Sequence, residues 1–351
     1  MSVMVERCGP VVRDVWGEIR PASELFYKIA DRVLCLKALD DRAARLADEF
    51  ISGLHFTPIT PAIRSREDCL IRIRAESALP CVPEGLQSFA VERGRCHLNG
   101  GSHYLEIDES TVLVGAGSSA VVDVWIGQTP HARHPVAIAN TISYAVQAAL
   151  RRCNLYLLHA AGVVRPEDGA CALIIGGSGS GKSTLTLRLA SNGWRYLSDD
   201  ILVLFEESNK ILASGYRRPF ALSESVLSAF DLERLDEALG PAPLTDPCKR
   251  FLEPGILFPG SFAASAVPRH LFFASVTNQS KSLVSRLSRS EAMARLIQLC
   301  PWSCCDVSIS RDYLDVLSSL VKQCDAQVLS AGLDILEDPE LAAMLLASQM
   351  S

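Results

Sequence analysis

Cys171-Ala-Leu-Ile-Ile175-Gly176-Gly177-Ser178-Gly179-Ser180-Gly181-Lys182-Ser183-Thr184-Leu185-Thr-Leu-Arg-Leu-Ala190 decides how this 351-residue chain is read. An apolar run of β type leads into a glycine-rich loop, and a run with helical spacing leads out of it. Residues 176–184 satisfy G-x-x-x-x-G-K-[ST], the pattern of a phosphate-binding P-loop. The pattern has a mechanism. Glycines let successive backbone N–H groups turn toward phosphates, the lysine reaches the β/γ oxygens, and the following hydroxyl ligates Mg²⁺. Gly176, Gly177, Ser178, Gly179, Ser180 and Gly181 form the cradle, Lys182 and Ser183 take the other two roles, and Thr184 completes the expected nucleotide-binding stretch. The chain is therefore expected to bind a nucleoside triphosphate. A flexible Gly/Ser linker would lack both ordered flanks.

At 351 residues the chain exceeds most single domains, so two domains sharing an interface are expected. Its net charge is −6 and its basic residues are scattered, which argues against a nucleic-acid partner. Twelve cysteines do not make a disulfide scaffold in a chain of this size. With no signal peptide read at the start, a reducing, cytoplasmic setting with buried thiols is expected. The group Cys300-Pro-Trp-Ser-Cys304-Cys305 lacks a second Cys/His pair at zinc spacing and is read as packing at a helix end. No apolar run approaches the ~18 residues needed to span a bilayer, so a soluble protein without a membrane partner is expected.

Residues 1–150 read as an N-terminal α/β accessory domain and residues 151–351 as the P-loop domain. In the first part, 41–54 has helical spacing, and 70–74, 104–107, 111–114 and 121–126 read as strands. A helix over 136–152 closes it. Its stripe Ile138, Ile142, Ala145, Val146 and Ala149 is expected to pack on the neighbouring domain. In the second part, strands 155–164 and 171–175 flank Arg165-Pro-Glu-Asp-Gly169, a reversal sequence. A turn centred between Glu167 and Asp168 sets His159 opposite Gly176, at the mouth of the loop. Tyr196-Leu-Ser-Asp199-Asp200 and then the apolar strand 201–205 follow the P-loop helix. Further helices are expected over 222–239, ended by Gly240-Pro-Ala-Pro243, over 288–299 with a Ser288/Glu291 capping box, and near 312–322 and 339–347.

Phosphoryl transfer requires positioning, neutralised charge and a carboxylate near the incoming hydroxyl. Asp199-Asp200 can supply that carboxylate, although Asp is also a favoured turn residue. In extended backbone the two side chains diverge, so one alone is expected to face the γ-phosphate unless the chain bends there. His159 reads either as a hydrogen-bonded core residue or, by the hairpin register, as an imidazole that donates to a phosphate or orients a carboxylate. Arg217-Arg218 and Lys249-Arg250 are candidates for cancelling phosphate charge, and solvated surface pairs are an equal reading.

The series Leu158-His159-Ala-Ala-Gly162, 176–184, Arg195-Tyr-Leu-Ser-Asp199-Asp200, Arg218-Pro219 and Lys249-Arg250 resembles the kinase domain of the HPr kinase/phosphorylase superfamily. It looks most like the stand-alone HPr-kinase-like proteins, some of which phosphorylate peptide precursors such as lasso peptides. The resemblance covers about residues 150 to 300. It implies an α/β fold of the phosphoenolpyruvate-carboxykinase type of P-loop domain, a mixed sheet with helices. It also implies transfer of the γ-phosphate of ATP, with Mg²⁺, to a serine or threonine hydroxyl of a peptide or protein. Lys182 would then hold the β/γ-phosphates and Ser183 the metal. Asp199 and Asp200 would supply the base and a metal contact, and His159 would flank the phosphates.

One departure from the family pattern matters. The Leu-Glu-Ile-Arg-Gly-Leu-Gly stretch that HPr kinases carry after the Asp-Asp strand is absent beyond Phe205. Its absence argues against HPr as acceptor and against the reverse phosphorylase reaction. The first 150 residues match no part of the family's N-terminal domain and are expected to help select the acceptor. A kinase for a small hydroxylated metabolite is the alternative, marked by a closed pocket rather than an elongated channel. A P-loop ATPase or nucleotide sensor is the third reading, and Asn278-Gln-Ser-Lys281 does not match the guanine-reading Asn-Lys-x-Asp. A homo-oligomer is compatible with the sequence, which does not specify one.

Overall fold

The computed structural model of the chain describes residues 23–60, 68–75, 79–91, 93–115, 120–228, 230, 234–243 and 248–350. Among them, two mixed sheets with flanking helices make an α/β architecture. The first sheet runs Thr57–Ile59, Ser23–Ile29, Arg32–Ala38, Cys69–Ala75, Val121–Ile126, Ser110–Val114, Ser102–Ile107, Gly94–Asn99, Gln87–Val91. Its centre is parallel and its flanks are antiparallel hairpins. Period-2 alternation divides the faces of Cys69–Ala75. Cys69, Ile71 and Ile73 enter the core, while Arg72 on the other face pairs with Asp123 on the neighbouring strand at 2.5 and 2.8 Å.

The helix Asp41–Ser52 begins where the Asp40 carboxylate accepts from the Ala43 N–H at 2.8 Å. Helix Pro135–Arg152 carries its proline in the first turn, where the missing N–H costs nothing. Its stripe Ile138, Ile142, Ala145, Val146 and Ala149 is buried, but mainly against strands of its own sheet with Leu34, Ile71 and Val124. This corrects the expectation that the stripe faces the neighbouring domain. The helix follows Val121–Ile126 closely in sequence, and folding back onto that sheet covers the nearest apolar face. Val203 and Tyr216 from the second half of the chain join the same core.

The second sheet runs Ser265–Ala266, Lys210–Gly215, Ile201–Glu207, Tyr156–Val164, Cys171–Ile175, Pro268–Val276, Asp325–Ala331, Leu283–Arg286. The trio Cys171–Ile175, Pro268–Val276 and Asp325–Ala331 is parallel. Tyr156–Val164 and Cys171–Ile175 pair with Ala160 opposite Ile175 and Val164 opposite Cys171, the register expected from the turn. Arg165 and Asp168 close that turn with a forked pair at 2.9 and 2.6 Å.

The expected helix over 222–239 is not there. Phe220–Ser223 is a strand paired with Lys249–Leu252, followed by the one-turn helices Glu224–Leu227 and Leu235–Ala238. Residues 229 and 231–233 lie outside the described residues. Phe220, Leu222, Phe230 and Leu252 bury against Leu187 and Ala190 of the P-loop helix, and that tertiary core overrides helical spacing. Pro268–Val276 and Asp325–Ala331 escaped the sequence reading altogether, because short buried runs carry no period of their own.

The cysteines at 35, 69, 96, 153, 171, 300 and 324 are buried as expected, whereas Cys81 and Cys248 are exposed. The side chains of Cys304 and Cys305 fall outside the described residues. Among the described residues, no helix is long and apolar enough to cross a membrane.

Candidate functional site

Strand Cys171–Ile175 is wholly buried and delivers the chain to Gly176; helix Lys182–Ser191 carries it away again. Between them Gly177, Ser178 and Gly179 form an exposed tip, while Gly176 and Ser180 are buried. Gly181, at the helix N-cap, has φ 88° and supplies no side-chain cap. That left-handed backbone favours glycine, and a Cβ there would stand 3.0 Å from Val276 Cγ2. The first-turn N–H groups of the helix lack intrahelical partners and suit an anion.

Lys182 folds back over the loop, donating to the carbonyls of Gly176 at 2.8 Å and Gly177 at 3.0 Å. Desolvation lowers its pKa against the opposing pull of Asp200 and Asp199. Ser183 and Thr184 are half-buried in the first turn.

The helix is anchored on two sides. Leu185 and Leu189 join Ile174, Phe272 and Leu329; Leu187 and Ala190 join Tyr196 and Phe220. Each fully buried leucine contributes roughly 1.5–3 kcal/mol, so the loop rests on a base that does not reorient. Arg188 adds a guanidinium 3.8 Å over the Phe230 ring and a bond from Nε to the Leu336 carbonyl at 2.8 Å.

The two aspartates sit in a bend between strands Arg195–Ser198 and Ile201–Glu207. Both strands pair with Tyr156–Val164, Ser198 opposite Gly162 and Ile201 opposite His159. Asp199 is 1% exposed, the nearby Ser183 side chain and Ala221 backbone favour its charged form, and among the described residues its Oδ2 has no partner. Burial, and then the neighbouring Asp200 charge, push its pKa up to about 7.

Asp200 turns the other way. Its Oδ1 is 2.7 Å from His159 Nε2 and its Oδ2 is 3.8 Å from Arg217 Nη1. Burial pushes this carboxyl upward too, but the His159 hydrogen bond and the charges of His159, Arg217 and Lys182 prevail and hold it at about 2. One carboxyl titrates near neutrality and the other stays ionised, the division that acid–base and metal chemistry exploits. The two side chains take different surroundings, and the bend leaves both near enough to act on Lys182.

Each basic pair is divided. Arg217 faces Asp200, whereas Arg218 turns to the first layer with Nε 2.7 Å from the Leu54 carbonyl. The Lys249 charge reaches Lys182, whereas Arg250 donates to the Gly240 carbonyl at 2.9 Å. His55 was not singled out by sequence. It packs its ring on Phe262 at 4.3 Å and its backbone N–H donates to the Tyr216 carbonyl at 3.0 Å, and partners so distant in the chain leave no local signal. Beyond Phe205 the chain makes a tight hairpin, Glu207 opposite Lys210, with Ser208 and Asn209 at φ 52° and 60°.

The donors fit Mg²⁺ and a triphosphate. Ser183 and the unpartnered Asp199 oxygen are hard oxygen ligands beside the loop, and Mg²⁺ in phosphate sites takes one or two carboxylates plus substrate oxygens. Two cavities lie elsewhere. One of about 460 Å³, lined by Lys210, Arg269 and His270, opens where Pro268–Val276 begins. Another of about 300 Å³, lined by Asp40, Ile126 and Arg133, belongs to the first sheet. Neither is lined by the P-loop or the aspartates.

No family model matches the sequence, and no curated protein matches it. Among solved structures, the chain is similar to the Hpr(Ser) kinase/phosphatase from Coxiella burnetii, with 13% identity, 55% of this chain and 95% of that chain covered, and a TM-score of 0.28. An overlap at that TM-score does not establish a shared fold.

Proposed function

We propose that this chain is an ATP-dependent kinase that uses Mg²⁺ and transfers the γ-phosphate to a serine or threonine hydroxyl of a peptide or protein. Residues 151–351 would form a kinase domain of the phosphoenolpyruvate-carboxykinase type, with residues 1–150 as the accessory domain. The observation that carries this reading is the His159–Asp200 hydrogen bond at 2.7 Å beside the buried Asp199 carboxyl, which feels Ser183 at the start of the loop helix.

Bound Mg·ATP would supply the phosphoryl group and neutralise its charge. Ser183 and Asp199 would hold the metal, and Lys182 would exchange its two loop carbonyls for phosphate oxygens. Asp200 and His159 are the solvent-facing pair, with side chains 28% and 36% exposed, and so stand on the acceptor side. Asp200 is ionised at neutral pH and free to take the proton of an incoming hydroxyl, while His159 holds its orientation. Arg217 offsets the negative charge gathered there. A transition state with little covalent demand on the protein makes such a weakly basic carboxylate sufficient.

The test is incubation of the purified protein with labelled ATP, Mg²⁺ and serine-containing peptides encoded beside its gene, with phosphoserine read by mass spectrometry. Label appearing only on a small hydroxylated metabolite would replace the acceptor class. Failure to bind ATP would remove the reading altogether.

A further inference from the structure

Arg217 is aimed from a backbone that the first layer holds. The stretch 215–218 leaves strand Lys210–Gly215 and runs beside 53–56, the segment that follows helix Asp41–Ser52. Arg218 N–H donates to the Gly53 carbonyl at 3.1 Å, Leu54 bridges Arg217, and His55 N–H donates to the Tyr216 carbonyl at 3.0 Å. The Arg218 guanidinium forks over the same segment, Nε to the Leu54 carbonyl at 2.7 Å and Nη2 to the Phe56 carbonyl at 3.3 Å.

Side chains seal the junction. The His55 ring stacks on Phe262, and Phe56 meets Tyr216 edge-on at 6.0 Å. Gly215 permits this approach, since a Cβ there would stand 2.1 Å from the Leu197 carbonyl oxygen and 2.9 Å from His55 Cδ2.

A part-exposed arginine 3.8 Å from a carboxylate gains too little from that pair to fix its own long side chain. Its place therefore comes from the backbone beneath it. Arg218 is exposed yet makes three bonds to one segment, which a freely solvated arginine does not do.

We propose that segment 53–56 of the first layer is a positioning element of the phosphate site, with Arg218 as the positioning residue that holds Arg217 against Asp200. This rests on the kinase reading above. The first layer then does more than select an acceptor, because the charge set around the phosphates is complete only with it docked.

The test is a double-mutant cycle on the full chain with Arg217→Gln, Arg218→Ala and the pair. Its readouts are the affinity for a fluorescent ATP analogue with Mg²⁺, the KM for ATP and kcat. Arg218→Ala should weaken nucleotide binding several-fold in the same direction as Arg217→Gln, and should add nothing in the Arg217→Gln background. Loss of folding alone would reduce the active fraction and leave the KM of the remainder unchanged. Should Arg218→Ala fold poorly, Arg218→Lys keeps the charge, cannot fork over two carbonyls and should fall between wild type and alanine. Additive losses, or an Arg218→Ala protein with wild-type affinity and KM, would overturn the proposal and leave the kinase reading intact. A wild-type protein that binds no nucleotide would overturn both.

Discussion

His159 Nε2 stands 2.7 Å from Asp200 Oδ1 at the junction where one strand changes partners. Tyr156–Val164 pairs with Arg195–Ser198 over one half and with Ile201–Glu207 over the other, so the residues between those strands are thrown out of the ladder beside His159. His159→Ala is expected to lower kcat about 10²–10⁴-fold while changing affinity for ATP little. Asp200→Asn should likewise abolish transfer with ATP still bound. Single-turnover transfer measured beside nucleotide affinity checks both, and wild-type transfer by either variant would reject the assignment.

Lys182→Ala should cost about 10²–10³-fold in ATP turnover and leave the fold intact, because the loop shape comes from glycine backbone while the lysine carries charge. Among the described residues the ammonium bonds to two loop carbonyls, one of them at the exposed Gly177. Thermal melts should show a Tm close to wild type. A collapsed melt would mean that the lysine is a structural strut.

Asp199 carries a pH signature. Its pKa rises from 3.8 to about 7 through burial first and Asp200 second, so the folded state keeps a proton that the unfolded chain releases. Stability from this group is complete below the unfolded value and falls as pH climbs from about 4 to about 7. Asp200, held at about 2, acts in the opposite sense, its contribution present above the unfolded value of 3.8 and lost on acidification toward 2. Asp199→Asn should therefore stabilise the protein at pH 8 by up to about 4 kcal/mol and do little near pH 4. Urea denaturation across that range decides it, and a pH dependence identical to wild type would contradict the buried-carboxyl account. Added Mg²⁺ should recover part of the pH 8 stability in wild type but not in the variant.

HPr is not expected to be a substrate. Where HPr kinases carry a glycine-containing stretch after the Asp-Asp strand, this chain turns back within two residues at Ser208-Asn209. Labelled ATP with HPr, run beside peptides from neighbouring genes, should mark only the latter. Stoichiometric phosphoserine on HPr at ordinary enzyme concentration would show this to be wrong.

Much of the P-loop half was legible before any coordinates. Gly181 requires glycine for a reason local to its own φ angle, and the Ser288/Glu291 capping box likewise closes within one turn. The hairpin register followed from turn length alone. The helix expected over 222–239 gives way at its start to the strand Phe220–Ser223, because that strand's partner, Lys249–Leu252, and its buried face against helix Lys182–Ser191 come from elsewhere in the chain. Arg217 and Arg218 are indistinguishable as sequence, and only their opposite surroundings separate them.

The glycine loop belongs to contiguous residues, so its backbone geometry is written into 176–184 whatever surrounds it. The chemistry of Asp199-Asp200 is not. Two identical side chains, adjacent in the chain, become a carboxyl near pKa 7 and another near 2 because one is dehydrated against Ser183 while the other meets His159 and Arg217. Desolvation and charge act through space, and the groups that set them are brought together by folding from as far back as His159 and as far on as Arg217, distances over which local sequence pattern carries no information.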